Sequence, residues 1–302
     1  MEQTPECKSA RQKSAAAILF AGSLWGTIGL FVRGLSGTGL SSLQLVFLRS
    51  MVTAALLFLY LLFFQRSALK IRLRDLWIFL GAGILSILFF SVCYFSTIQM
   101  ADLSVAAVLL YTAPVFVMLF SLFLFGEKLN ARKILALLCC LAGCALVSGI
   151  LGAGSLTLPA LITGLLSGLG YSLYSIFGKY AVQKGYSALT TTFYTFLFSA
   201  IASIPFAGLG EIPGKFAAQS GSVLLMLLMG VATSVLPYLL YTYGLSGTEP
   251  GKAAIFASVE PVVAMLLGLV FFGEGLTPAS VLGVALVLAA VALLSQEKKQ
   301  VK

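Results

Sequence analysis

The chain has 302 residues, of which 60% are hydrophobic and 10% are charged, and its mean hydropathy is +1.04. This composition excludes a soluble globular domain, in which about half of the residues are apolar and about a quarter are charged. The formal net charge of +9 does not indicate nucleic-acid binding, because the basic residues are distributed among short connections between apolar runs.

The apolar runs are about 20 residues long, which is the length of helix that crosses the hydrocarbon core of a bilayer. We therefore predict an all-α polytopic membrane protein with ten transmembrane helices and no separate soluble domain. The predicted spans are 14–32, 43–64, 76–98, 104–125, 132–150, 158–179, 188–207, 222–244, 252–272 and 277–295.

The positions of lysine and arginine predict the orientation of the chain. If the N-terminus is cytoplasmic, all 19 basic residues lie on the cytoplasmic side except Arg33, Arg49 and Lys215. Positively charged residues close to membrane helices favour the cytoplasmic side. We therefore expect the two tails, residues 1–13 and 296–302, to be cytoplasmic and the basic connections to contact anionic membrane lipid.

One segment of the chain occurs twice. Residues 102–135 align without a gap on residues 249–282, and both copies contain a mid-helix proline and the tripeptide Phe-Gly-Glu. Directly after this tripeptide the first copy has Lys128, whereas the second copy has Gly275. Because the charge differs, the copies are predicted to cross the membrane in opposite directions, as in many secondary transporters. The predicted fold is two inverted five-helix repeats, residues 14–150 and residues 158–295.

The end of each repeated segment carries helix-capping chemistry. Gly126 and Gly273 are predicted to end their helices in the left-handed conformation, and Asn130 and Thr277 to cap the helices that follow. Pro residues are also favoured just inside such a helix start. Four acidic residues outside the spans are predicted to be structural, Glu127 and Glu274 as hairpin residues and Asp102 and Glu249 as helix caps.

The repeat pattern resembles the drug/metabolite transporter superfamily, specifically its ten-helix EamA-type members. The matching residues are 114–127, 260–274, 47–50, and the opening 22–26 with its counterpart 168–172. The resemblance implies a secondary transporter in a bacterial plasma membrane that moves a small organic metabolite by alternating access. It further implies an amino acid or a related solute, moved in the export direction, but it is specific for the superfamily and not for the substrate.

Three prolines are predicted to interrupt spans. Pro114 and Pro261 lie near the middle of theirs, and each frees the carbonyl group four residues back, at Leu110 and Ala257. Pro237 has the same effect in its span and has no counterpart in the first half. Interrupted helices surround the binding sites of many transporters. The alternative is that the three kinks only shape helix packing.

Two charged residues lie within predicted spans. An ionised carboxylate in the membrane costs several kcal/mol unless it is paired or hydrated, so Glu260 is a candidate functional residue. It can bind a coupling proton, attract a cationic group or pair with Arg49, whose side chain can alternatively extend to the membrane surface. A structural polar contact is the alternative reading of both residues.

Aromatic residues are the predicted lining of a solute cavity at the middle of the membrane. Tyrosine offers a flat apolar face and one hydroxyl group, which suits small amphiphilic solutes and cation–π contacts. Some of these side chains can instead belong to interfacial belts or to the packed core. The predicted substrate-binding residues are Trp25, Tyr94, Tyr111, Tyr171, Tyr174, Tyr238, Tyr241, Ser258 and Glu260.

The chain contains no histidine, which excludes Ser-His and Cys-His nucleophilic pairs and His-ligated metal sites. We find no motif for enzyme chemistry and expect no metal and no cofactor. The expected partners are a small-molecule solute, membrane lipid and a coupling proton, and two repeats in one chain allow a functional monomer. An organic-cation or drug carrier that uses Glu260 is the alternative function, and a passive pore is disfavoured by the apolar spans.

Overall fold

A computed structural model of the protein describes residues 5–101, 103–152 and 156–295, and these residues form helices and short connections. We number the spans in chain order. In the first half, span 1 consists of Pro5–Trp25 and Ile28–Gly34, span 2 of Ser42–Phe64, span 3 of Leu76–Leu80, Gly81–Leu88 and Phe89–Met100, span 4 of Leu103–Leu110 and Ala113–Phe125, and span 5 of Ala131–Val147. In the second half, span 6 consists of Leu158–Gln183, span 7 of Ala188–Ser203, span 8 of Ser222–Gly230, Val231–Val235 and Leu236–Gly247, span 9 of Pro250–Ala257 and Glu260–Phe272, and span 10 of Pro278–Ser295.

The all-helical polytopic fold predicted from the sequence is confirmed. Among the described residues, nine helical segments are long and apolar enough to cross a membrane. Span 5 is a helix of 17 residues, about 26 Å long, which is at the lower limit for a crossing. The first helix begins at Pro5, so it includes much of the predicted tail 1–13, whereas the predicted tail 296–302 lies outside the described residues.

The connections between spans lie on two faces of the bundle. Residues 65–72, 126–130 and 184–187 are on one face, which we call the basic face because these connections are rich in lysine and arginine. Residues 35–41 and 207–221 are on the other, which we call the opposite face. Because each half has an odd number of spans, the second half starts on the opposite face and is inverted relative to the first.

Side-chain contacts join the connections of each face. On the basic face, Tyr186 OH donates a hydrogen bond to Asp75 Oδ2 at 2.8 Å. On the opposite face, Lys215 Nζ donates to Gln44 Oε1 at 2.9 Å. Each contact links a residue of the first half to a residue of the second, so the two halves are held together at both surfaces.

The two halves also interlock within the membrane. Spans 1 and 8, 2 and 7, 3 and 6, and 5 and 10 pack most extensively, and each pair joins one span from each half. Span 1 also contacts span 9, and span 6 contacts span 4. The largest buried apolar cluster accordingly combines both halves, with Ile18 from the first and Leu245 and Ile255 from the second.

The helix interruptions predicted at Pro114 and Pro261 are observed. Span 4 is broken at Tyr111–Thr112 and span 9 at Ser258–Val259, and in each case a proline occupies the start of the following helix. Proline has no N–H to continue the hydrogen-bond ladder, which explains why the break lies directly before it. Repeated prolines thus produce repeated breaks at equivalent places in the two halves.

Spans 3 and 8 each contain a π-helical segment. The sequence predicted an interruption in span 8, at Pro237, and none in span 3. Residues Gly81–Leu88 and Val231–Val235 are both π-helical. The first of these segments contains no proline, so proline is not what produces the widened turn. Wider turns of this kind often occur at functional sites, and both lie in spans that line the cavities described below.

Most of the predicted caps are observed. Gly126 and Gly273 have φ angles of 64° and 65°, and the side chains of Asn130 and Thr277 accept hydrogen bonds from backbone N–H groups three residues on. The prediction for Glu249 is wrong, because it occupies the N-cap position of Pro250–Ala257 without a capping hydrogen bond. Its carboxylate is instead paired with lysines. Asp102 lies outside the described residues.

Two glycines allow spans 1 and 6 to approach the broken helices. A Cβ atom on Gly22 would lie 2.6 Å from the carbonyl oxygen of Ala257, and one on Gly168 would lie 2.8 Å from that of Leu109. A real Cβ does not fit at these distances. Glycine is therefore required where the first span of each half crosses the break in the other half.

We predict that Gly22→Ala destabilises the protein, because the new methyl group must displace the backbone of span 9. Overpacking of this kind costs about 1–3 kcal/mol, which would lower the midpoint of thermal unfolding in detergent. Gly29→Ala is the matched control in the same span, because a Cβ there would meet nothing within 4 Å. Equal midpoints for the two variants would contradict the prediction.

Candidate solute-binding site

A wide cavity of about 640 Å³ lies between the halves. It extends from Arg33, Ser42 and Glu274, near the opposite face, to Trp25 and Glu260 at the helix breaks. Its volume is within the range of small-molecule sites, about 300–1,000 Å³. The cavity is therefore large enough for a small organic solute and lies on one side of the membrane midplane.

A second, narrow cavity of about 30 Å³ continues from the wide one towards the basic face. It is lined by residues closer to that face, among them Val117, Tyr174 and Ala254. The walls shared by the two cavities are formed by the residues Trp25, Tyr111, Tyr171, Tyr238 and Glu260. These residues surround the constriction at which the wide cavity ends.

Glu260 is the acidic residue at this constriction. It is the first residue of the helix Glu260–Phe272, where the positive end of the helix dipole stabilises a carboxylate. Its Oε2 atom accepts a hydrogen bond from Tyr171 OH at 3.1 Å. Pro261 fixes the break, and the break therefore puts the carboxylate at the bottom of the wide cavity instead of inside a continuous helix.

An aromatic cluster surrounds Trp25. Its ring centroid lies 5.1 Å from that of Tyr238, 5.4 Å from that of Tyr241 and 6.3 Å from that of Tyr171. In aromatic pairs such edge-on and tilted arrangements are favourable. The indole Nε1 atom is buried and makes no hydrogen bond in the part of the chain that the structure describes, so the cluster holds one unused donor.

The tyrosine hydroxyl groups divide into two sets. Those of Tyr174 and Tyr241, which line the narrow cavity, form hydrogen bonds of 2.7 Å with Thr242 and Ser175. These bonds join span 6 to span 8 and make the two tyrosines structural members of the wall. Within the described residues, the hydroxyl groups that remain without a protein partner at the wide cavity are those of Tyr94, Tyr111 and Tyr238.

Arg49 lines the wide cavity from span 2. The residue is 7% exposed, and it does not extend to the membrane surface, which is one of the alternatives that the sequence left open. A second alternative, an ion pair with Glu260, is not observed either, although the two charges are within electrostatic range. Among the described residues its guanidinium group makes no hydrogen bond or ion pair, and its Nε atom is buried.

A buried cluster of charges closes the basic face. Lys133 Nζ lies 2.8 Å from Glu249 Oε2 and 3.6 Å from Glu127 Oε2, and Lys252 Nζ lies 3.4 Å from Glu249 Oε2. Glu127 is in the hairpin predicted from the sequence and is 8% exposed. The cluster joins the end of span 4 and the start of span 5 to the start of span 9, at the basic face.

The two carboxylates of the cluster respond to burial differently. Burial raises the pKa of Glu127, although the charge of Lys133 opposes the effect. Burial also acts to raise the pKa of Glu249, but the hydrogen bond from Lys133 and the charge of Lys252 outweigh it, and the pKa is lowered. The ionised form of Glu249 is therefore the one that the folded protein stabilises.

At the opposite face, Glu274 is the repeat counterpart of Glu127. It lies 2.5 Å from Arg33 Nη2, and the side chains of Arg33 and Glu274 are 53% and 49% exposed. The Arg33 guanidinium also lies 4.1 Å from the ring centroid of Phe272. This pair is at the edge of the wide cavity and does not cover it, so the protein is open towards the opposite face and closed towards the basic face.

The sequence profile of the EamA-like transporter family matches residues 12–149 and 158–296 of the chain. The chain belongs to the EamA-like transporter family. An uncharacterized transporter of Archaeoglobus fulgidus is 33% identical over 287 residues, which cover 93% of this chain and 96% of that protein. The uncharacterized transporter YxxF of Bacillus subtilis is 31% identical over 299 residues, covering 97% of this chain and 93% of its own length.

A solved crystal structure has the same fold as this EamA-like transporter. Its TM-score is 0.76 at 21% sequence identity, and the match covers 94% of this chain and 96% of the other. The family and its named relatives identify the protein as an integral membrane transporter. The cavity between its halves is therefore the candidate site at which a transported solute binds.

The cavities of this EamA-like transporter bring together all but one of the residues predicted to bind substrate, to carry charge within a span or to interrupt a helix. Pro237 lines neither cavity, although it is buried at the start of the last helix of span 8. The wide cavity is lined by Trp25, Arg49, Tyr94, Tyr111, Tyr171, Tyr238, Glu260 and Pro261, and the narrow one also by Pro114, Tyr174, Tyr241 and Ser258.

Sequence reasoning missed several lining residues. Ser175 was identifiable, because it follows Tyr171 by one helical turn and therefore lies on the same face of span 6. Ser86 and Met229 had no such signal, since they lie in or next to the π-helical segments, where the ordinary helical period does not apply. The pair between Lys133 and Glu249 was missed because the two residues come from different halves of the chain.

We predict that Glu249→Gln lowers the midpoint of thermal unfolding at about pH 7, because Lys133 and Lys252 lose their shared anion. The expected loss is about 1–3 kcal/mol, below that of a fully buried pair because 38% of the Glu249 side chain is exposed. Since the pKa of Glu249 is lowered, its contribution is present above the ordinary carboxyl range and is lost as the pH falls through the lowered value.

The difference between wild type and Glu249→Gln is therefore expected to shrink as the pH falls to about 4 and below. Glu274→Gln is the matched control, because its pair with Arg33 is exposed and such pairs contribute little. A difference that stays constant with pH, or an equal effect of Glu274→Gln, would show that the cluster does not stabilise the closed basic face.

Proposed function

We propose that this transporter is a secondary carrier that moves a small organic metabolite, an amino acid or a related solute, by alternating access. The observation that carries the proposal is the one-sided path between the halves. A cavity of about 640 Å³ narrows to one of about 30 Å³ at Glu260, and a cluster of charges joins spans 4, 5 and 9 at the basic face. A carrier requires a site that is open to one side of the membrane at a time. A continuous pore does not meet this requirement.

The inverted repeats support the proposed change to a state that is open towards the basic face. Because the two halves have equivalent breaks and equivalent packing partners, each half can adopt the conformation of the other. Such an exchange would open the basic face and cover the wide cavity at the opposite face. The breaks at Tyr111–Thr112 and Ser258–Val259 lie at the constriction, so they are the proposed points of bending.

The charge distribution supports an orientation for the proposed carrier. The basic face is proposed to be cytoplasmic, with the N- and C-termini on that side, in the plasma membrane of a bacterium. The structure described above is then the state open to the outside. Export would load the solute from the cytoplasmic side after the exchange of conformations, and protonation of Glu260 is the proposed coupling step.

An organic-cation carrier is the second candidate, because one observation favours it. Glu260 lies beside the rings of Trp25 and Tyr171, and a carboxylate among aromatic faces is a favourable site for a cation. The unpaired charge of Arg49 on the same cavity opposes that candidate, since a cation without an anionic group would be repelled by it.

We predict reciprocal labelling of the repeat-related positions Ala107 and Ala254, each replaced by cysteine in a cysteine-free chain in lipid vesicles. Ala107 lines the wide cavity and Ala254 lines the narrow one. A membrane-impermeant thiol reagent should label Ala107→Cys from the opposite face and Ala254→Cys from the basic face. A bulky label trapped at Ala107→Cys should hold the cavity open and reduce labelling at Ala254→Cys, when both are present.

Two results would argue against alternating access. Labelling of both positions from the same side at the same time would indicate a continuous pore. Labelling at Ala254→Cys that a bulky label at Ala107→Cys does not change would indicate that the two sides open independently. Neither measurement needs a known solute, so the carrier mechanism can be tested before its substrate is identified.

We predict that Glu260→Gln reduces transport by at least about tenfold, which corresponds to about 1.4 kcal/mol, and removes its dependence on pH. Uptake of amino acids and organic cations into inside-out vesicles would measure both effects. Glu211→Gln is the control, because Glu211 is an exposed acid paired with Lys215 outside the cavity. Unchanged rates and an unchanged pH profile for Glu260→Gln would exclude a role of the carboxylate in binding or coupling.

A further inference from the structure

Two opposite charges line the wide cavity, and neither is neutralised by the other. Arg49 is more than nine-tenths buried, and in the described chain no acceptor is bound to its guanidinium group. Glu260 is bound only by a neutral donor, Tyr171 OH. The two charged groups are farther apart than the 4.0 Å of an ion pair, and both residues line the same cavity.

A buried guanidinium group without an acceptor is unfavourable. Removing one partner of a buried ion pair is strongly destabilising because an uncompensated charge is left. Glu260 is within electrostatic range of Arg49 but is not paired with it, and no described residue accepts a hydrogen bond from the guanidinium group. The cavity therefore keeps a charged donor that the folded chain itself does not use.

The two charges come from different halves of the chain, which supports one ligand that binds both. Arg49 belongs to span 2, and span 7, its counterpart in the second half, contains no charged residue. Glu260 belongs to span 9 and aligns with Ala113 in the first half. Each half thus contributes one charge that its counterpart lacks, and both charges face the same cavity. A solute that neutralises both would be bound by the two halves together.

The donor groups match a carboxylate. A guanidinium group presents a planar fork of N–H donors that fits the two oxygens of a carboxylate. The hydroxyl group of Tyr238, which has no partner among the described residues, is a further donor on the same cavity. At the other end, the carboxylate of Glu260 and the neighbouring aromatic faces match an ammonium group.

We propose that Arg49 binds the carboxylate group of the transported solute and thereby selects zwitterions over simple organic cations. This inference rests on the proposed carrier function and assigns its substrate class. A cation alone would leave Arg49 unpaired, and an anion alone would leave Glu260 without a counter-charge. A molecule with both groups neutralises both, and the charges at the entrance do not compete for it because Arg33 and Glu274 are already paired.

The test compares related molecules on the purified full-length chain. The probes are the proteinogenic L-amino acids, each beside its amino acid amide, which lacks the anionic oxygen, and its N-acetyl derivative, which lacks the ammonium group. Binding to the folded protein raises the midpoint of thermal unfolding, and at a given ligand concentration the tighter ligand raises it more. At least one amino acid is expected to stabilise wild type at a concentration at which its amide and its N-acetyl derivative do not.

Variants show which residue recognises the carboxylate group of the solute and which recognises its ammonium group. In Arg49→Gln the amino acid should lose its advantage over the amide, with affinity lower by about tenfold or more, which corresponds to about 1.4 kcal/mol. Glu260→Gln should lose the preference over the N-acetyl derivative instead. Arg49→Lys keeps the charge but not the fork and should recover part of the affinity. Lys215→Gln is the matched control, because Lys215 is a basic residue outside the cavity.

The inference would be overturned if Arg49→Gln preferred the amino acid over its amide as strongly as wild type does. Stabilisation of wild type by tetraalkylammonium ions, or by amides as strongly as by amino acids, would overturn it without any variant, so a variant that fails to fold leaves it testable. Labelling at Ala107→Cys and Ala254→Cys reports the carrier mechanism separately. Reciprocal labelling together with absent discrimination would reject the role of Arg49 while retaining the carrier.

Discussion

The close approach of a glycine to a broken helix is the constraint on which the rest of the structure depends. Span 1 of the first half lies against the break in span 9 at Gly22, and span 6 of the second half lies against the break in span 4 at Gly168. A side chain at either glycine would separate the spans. Their contact places Trp25 and Tyr171, which follow the two glycines by one turn, at the constriction beside Glu260.

Local chemistry explains what the sequence predicted well. The breaks before Pro114 and Pro261 and the left-handed turns at Gly126 and Gly273 follow from what proline and glycine do to their own backbone. Contacts between distant residues were not predictable in this way. Glu249 was expected to cap its helix, but Lys133 from the other half competes for the carboxylate. No pattern near either residue signals that contact.

The two faces of the bundle show how one changed residue in a repeat alters the surroundings of a repeated carboxylate. Glu127 and Glu274 follow equivalent helices, but Lys133 in the first repeat corresponds to Ser280 in the second. The first carboxylate is therefore buried beside a lysine, and the second is exposed beside Arg33. Ion pairs gain strength when they are shielded from water, although burial has its own cost. The closed face is thus the one with the shielded charges.

The distribution of charge between the halves bears on how binding is linked to movement. A ligand shifts a conformational equilibrium only as far as its affinity differs between the two states. A solute held by one half alone would move with that half and favour neither state. Arg49 and Glu260 lie on different halves, so the distance between them changes whenever the halves rearrange. A solute that bridges them would be sensitive to that distance, so its binding would be linked to the arrangement of the two halves.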